Sequence, residues 1–126
     1  MKLKNPVRRK IDNKGRLYIG KLSSFGDIIM KYGLIGNYKC LFLISGIHSE
    51  DNKTNEVEID FSLKLDNDNR VSLPDLAIEY AGIKKGSSVI LVELGTDYVL
   101  FSEETFRLLL TDKLKKAQEP KNNSLH

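Results

Sequence analysis

The chain has 126 residues, of which 40% are hydrophobic and 29% charged, and a formal net charge of +3. That length supports one domain with its own core and no need of metal or disulfide staples. No apolar run approaches the roughly 18 residues of a membrane-spanning helix, so no such span is expected. The opening MKLKNPVRRKIDNKG is basic but lacks the apolar segment of a secretory signal, and with a single cysteine the expectation is a cytoplasmic protein.

Charge is distributed unevenly. Residues 1–22 hold eight basic side chains against Asp12 alone, a balance of +7, whereas residues 56–110 hold eleven acidic side chains against five basic ones, a balance of −6. A basic amino-terminal end points to a polyanion partner, the competing explanation being a solvated charged terminus.

In chain order, KIDNKGRLYI (10–19) comes first and returns as KLDNDNRVSL (64–73). An offset of 54 gives five identities in thirteen positions, pairing Lys10 with Lys64, Asp12 with Asp66, Asn13 with Asn67, Arg16 with Arg70 and Leu22 with Leu76. Each copy reads as strand, polar turn, strand, a small hairpin in which Gly15 or Asn69 can take positive φ. FGDIIMKYG (25–33) is expected to be a helix stopped by Gly33, and KCLFLIS (39–45) a strand matching SVILVEL (88–94) of the second repeat. Cys40 in this run reads as a small core residue. IHSEDNKTN (47–55) is a polar loop whose His48 has no sequence partner for a metal, and EVEIDFSLKL (56–65) is a long strand.

After the second hairpin, Pro74 opens a short helix with Leu76, Ala77, Tyr80 and Ala81 on its apolar side and Gly82 at its end. SVILVEL and YVLF (98–101) form a strand pair around GTD. Ser102 caps a final helix with Glu103 and Glu104 in its first turn. Phe106, Leu109, Leu110 and Leu114 form its stripe, either packing on the body of the protein or making an oligomer contact. The expected organisation is a single domain over 1–117, with repeat one at about 5–46, repeat two at about 59–101, the helix at about 102–117, and a disordered tail at 118–126.

VRRKIDNKGRLYI resembles the opening hairpin of the AbrB superfamily, and LDNDNRVSLPDLAIEYAGIKKGSSVILVEL resembles a second copy. Two copies in one chain, each with an Asp-x-x-x-Arg motif (Asp12 to Arg16, Asp66 to Arg70), are similar to the MraZ family of bacterial transcriptional regulators. The resemblance covers residues 5–110. It implies a mainly β fold with short helices, an AbrB-like swapped-hairpin β-barrel formed by the two repeats, a homo-oligomer such as a ring, and a nucleoid-associated protein that reads tandem DNA repeats. The chain departs from that family in having only about twenty residues between Ile44 and Asp66, and Ala77, Ile78 and Glu79 where a basic residue is usual.

Chemically, a carboxylate and a guanidinium four residues apart across a turn can brace it, which gives Asp12, Asp66 and Arg70 structural roles. Arg8, Arg9, Lys10, Lys14 and Arg16 crowd the first hairpin, and a two-stranded ribbon can enter the DNA major groove. By resemblance Arg9 and Arg16 are candidates for base or groove contacts; Arg8, Lys10 and Lys14 suit phosphates, and Asn13 either role. Double-stranded DNA is favoured over RNA because Tyr18 is the only stacking aromatic in the basic hairpin. The alternatives are an AbrB/MazE-like antitoxin or protein-interaction module, although the tail offers only Leu125 after Leu114, and an enzyme that cleaves itself at Gly86-Ser87, where a turn glycine is the simpler explanation. No catalytic set, metal site or cofactor is expected.

Overall fold

Alternation of inward apolar and outward polar side chains builds most of the chain into strands. The structure is a computed structural model that describes residues 3–20, 28–45 and 60–118. Its elements are β1 (Leu3–Lys10), β2 (Arg16–Tyr18), β3 (Ile28–Ile35), β4 (Tyr38–Ser45), β5 (Asp60–Leu63), β6 (Arg70–Ser72), α1 (Asp75–Tyr80), β7 (Ser88–Leu94), β8 (Asp97–Ser102) and α2 (Glu103–Gln118). The protein is mainly β with a few helices. Six strands form an antiparallel sheet in the order β1-β7-β8-β4-β3-β5, and β2 pairs with β6 in a separate two-stranded ladder.

The repeat extends through the whole sheet. Val7 and Arg9 lie opposite Leu91 and Val89, while Phe61 and Leu63, their equivalents at the 54-residue offset, lie opposite Met30 and Ile28. At the centre Phe42 faces Val99, flanked by Leu41 opposite Leu100 and Leu43 opposite Tyr98. This is the pairing of an internal two-fold, with β1 to β4 equivalent in order to β5 to β8. The first strand of each repeat pairs with the third strand of the other.

The hairpins interlock in the same way. Ile19 donates its amide to Asn69 O at 3.2 Å and Leu73 donates to Gly15 O at 2.9 Å, two bonds related by the 54-residue offset. Leu17 faces Val71 across this ladder, and both are fully buried. Removing a side chain of this kind from water is worth about 1.5–3 kcal/mol, which ties each hairpin to its counterpart. Gly15 at φ +80° and Asn69 at φ +58° make the turns, as their sequence positions suggested.

The sheet buries both faces. On one side the interlocked hairpins and α1 enclose Ile11, Leu17, Val71, Ile78, Val89 and Leu100. On the other, Leu109 of α2 covers Ile90, Val92, Val99 and Phe101. Ser102 receives the amide of Thr105 at 3.1 Å on its Oγ, the expected cap of α2.

Four expectations change. Residues 28–33 are strand rather than helix, because β3 is sandwiched between β4 and β5 and buries Ile28 and Met30 by period-two alternation. Gly33 lies opposite Cys40 inside that strand, and a Cβ there would fall 1.9 Å from the Phe42 ring, so the glycine makes room for an aromatic and stops no helix. Consequently the strand equivalent to SVILVEL is β3, and YKCLFLIS corresponds to β8. Finally, α1 turns Ala77 and Ile78 inward, with Ala81 buried just after its end, and leaves Leu76 67% exposed. The expected loop at 47–55 with His48, the beginning of the long strand at 56–59 and the tail from residue 119 lie outside the described residues.

Candidate nucleic-acid interface

Both Asp-x-x-x-Arg turns are built alike. Asp12 Oδ1 accepts the amides of Lys14 at 2.9 Å and Arg16 at 2.8 Å, and its Oδ2 accepts Arg16 Nε at 2.6 Å. Asp66 repeats this with the amides of Asp68 at 2.8 Å and Arg70 at 2.9 Å and with Arg70 Nε at 3.1 Å. The Arg16 amide, aided by its guanidinium and the Lys14 amide and opposed by desolvation, holds the Asp12 carboxyl below its ordinary 3.8. Asp66 is lowered in the same way, first by the Arg70 amide. Arg70 also reaches Asp68 at 3.0 Å and, across the ladder, Asp12 at 3.8 Å. Asp12, Asp66 and Arg70 thus act as braces, and Arg16 shares that work.

The first hairpin is shorter than a continuous ribbon. Its arms meet at the Ile11–Leu17 bridge and at the Asp12 amide, which donates to Arg16 O at 3.0 Å, and then part: β1 runs along β7 and β2 along β6. The basic residues at 8–10 therefore belong to an edge strand of the large sheet. Alternation sends Arg8 and Arg9 to opposite faces. Arg8 forms an ion pair with Glu103 of α2 at 2.7 Å. Arg9 faces the hairpin side, its guanidinium 5.4 Å from the Tyr18 ring centroid, with a buried Nε that has no partner among the described residues. The six candidates do not form one continuous surface: Lys10, Asn13 and Lys14 lie at the exposed tip, while Arg8, Arg9 and Arg16 have protein partners beside them.

The tip has neighbours that the sequence did not suggest. Gly86, at φ +83°, donates its amide to Ile11 O at 2.9 Å and Asp12 O at 3.3 Å, and Ile11 donates to Ser87 O at 2.9 Å. A Cβ on Gly86 would lie 2.7 Å from Asn13 Oδ1, and one on Gly15 would lie 3.5 Å from Lys85 Cε. The loop carrying Lys84 and Lys85 is therefore fastened against the first hairpin. The signal in the sequence was the pair of lysines before a glycine, but nothing in a linear reading places them beside residues 11–15.

No cluster of three or more metal-binding side chains occurs among the described residues, and no described helix is long and apolar enough to cross a membrane. Set beside known proteins, the chain matches no family model and no curated protein significantly.

Proposed function

We propose that the protein is a sequence-specific, double-stranded DNA-binding transcriptional regulator of the AbrB/MraZ type, working through the tip of its first hairpin and acting as a homo-oligomer. The observation that carries this reading is an internal control. Two hairpins share one backbone pattern and one brace, so the scaffold accounts for Asp12 with Arg16 and for Asp66 with Arg70. It does not account for Arg8, Arg9 and Lys14, which correspond to Ser62, Leu63 and Asp68 in the second copy, whereas Lys10 has its counterpart in Lys64. A charge that the hairpin scaffold does not require, with Lys14 at the exposed turn and Arg9 beside it, is what a phosphate partner would use.

In this reading Lys10 and Lys14 hold phosphates, Asn13 adds a hydrogen bond, and Arg16, oriented through Nε by Asp12, offers its terminal nitrogens to a guanine edge. Arg9, on the hairpin side, flanks the tip as a secondary contact, while Arg8 lies on the opposite face with Glu103. The cross-repeat pairing of β2 with β6 supports a swapped-hairpin barrel as the architecture. Each hairpin alone makes few contacts, and copies presented together on repeated half-sites raise avidity.

The test is binding of the purified chain to genomic fragments, including its own upstream region, at several salt concentrations. Lys10→Gln/Lys14→Gln is preferable to Arg16→Ala because it leaves the brace intact. Specific binding whose log–log salt slope falls by roughly two in the double variant, about 0.9 per phosphate lost, is the expected result. Equal binding by both proteins at every salt concentration would sink the proposal.

A further inference from the structure

We infer that Lys84 and Lys85, carried by the acidic second repeat, complete the first hairpin's DNA surface as sequence-independent phosphate contacts. This inference rests on the DNA-binding reading above. Four observations support it. The loop is fixed to the tip by the backbone bonds of Gly86 and Ile11, so its position follows the hairpin's. Both lysines are exposed, and Lys10, opposite Ser88 in the β1–β7 ladder, continues the positive charge along the same segment.

Two carboxylates of this region are engaged: Asp12 with Arg16, and Asp75 with Lys85 at 3.0 Å. The Asp75–Lys85 pair is exposed, with Asp75 84% open to solvent, and exposed pairs of this kind are weak enough for a phosphate to displace. Lastly, the turn uses the lysine backbone and not its charge. Lys84 O accepts both the amide and the hydroxyl of Ser87, work that any residue at 84 could do.

Lysine presents a compact ammonium on a flexible stem, which suits a phosphate oxygen and does not read a base edge bidentately. Lys84 and Lys85 should therefore raise affinity for every sequence alike, leaving discrimination to the hairpin. They also give the second repeat a part in binding despite its negative balance.

The experiment compares wild type, Lys84→Gln/Lys85→Gln, Asp75→Asn and Lys10→Gln/Lys14→Gln on one specific and one unrelated duplex across a salt series, with circular dichroism melts to verify folding. Expected are a salt slope lower by roughly two for Lys84→Gln/Lys85→Gln on both duplexes, an unchanged ratio between duplexes, and tighter low-salt binding by Asp75→Asn. A wild-type slope in Lys84→Gln/Lys85→Gln, with binding still weakened by Lys10→Gln/Lys14→Gln, overturns this inference and leaves the DNA reading standing. Absence of salt-dependent binding by wild type overturns both.

Discussion

At the scale of single residues, the two aspartates do the same work in differently charged surroundings. Each carboxylate accepts two amides and an Nε, and each is shifted below 3.8. A carboxyl lowered on folding stabilises the native state fully above its unfolded value and loses that contribution as pH falls through the folded value. Replacing both with asparagine is expected to lower the melting temperature at neutral pH and to flatten the acid limb below 3.8. Thermal melts across pH measure this, and an acid limb as steep as wild type would show that the braces contribute nothing. The brace was legible in the sequence, since an acid and a base four residues apart around Gly15 or Asn69 specify the turn locally. The destinations of Arg8 and Arg9 were not, because Glu103 and Tyr18 reach them only through tertiary structure. Cys40 met its expectation: it is buried, and desolvation pushes its thiol up to about 12.

At the scale of elements, β3 shows where local reading failed. IIMKYG has apolar residues at spacings that suit a helix as well as a strand, and a glycine follows where a helix could stop. Pairing with two neighbours decided the matter, as tertiary context commonly does for short apolar runs. The same pairing makes Gly33 a packing residue. Gly33→Ala puts a methyl into the Phe42 ring, and overpacking of this type costs about 1–3 kcal/mol. A double change with Phe42→Leu should recover much of the loss; urea unfolding of the two variants checks both statements, and equal stability of Gly33→Ala and wild type would refute the packing role. The edge strand β1 carries its own safeguards. Asn5, at φ +52° before Pro6, sits where the register with β7 shifts between Lys4 and Val7. A bulge, a proline and several cations on an exposed edge all discourage pairing with another sheet.

At the scale of the whole molecule, α2 covers the sheet with Leu109 and Phe106 but leaves Leu110 45% and Leu114 63% exposed. The stripe seen in the sequence thus divides between an inward and an outward part. The outward leucines, one turn apart, support the proposed homo-oligomer. Leu110→Ser/Leu114→Ser is expected to reduce the assembly's mass by light scattering at micromolar concentration without lowering the melting temperature of the protomer. A wild-type protein that is already a strict monomer would end the oligomer proposal.

The internal two-fold has a consequence for how the chain reaches this structure. Because β1 finds its partner in β7, β5 in β3 and β2 in β6, the sheet edges and the hairpin ladder join residues from the two different repeats. Most of these pairings close long loops, which slows folding relative to a chain of local contacts. Neither repeat can complete the six-stranded sheet alone, although β3 with β4 and β7 with β8 are hairpins that lie within one repeat. In the first repeat β1 and β2 find their ladder partners only in β7 and β6, and the molecule is in effect a dimer of half-chains whose two partners are delivered at a fixed ratio by a single peptide backbone.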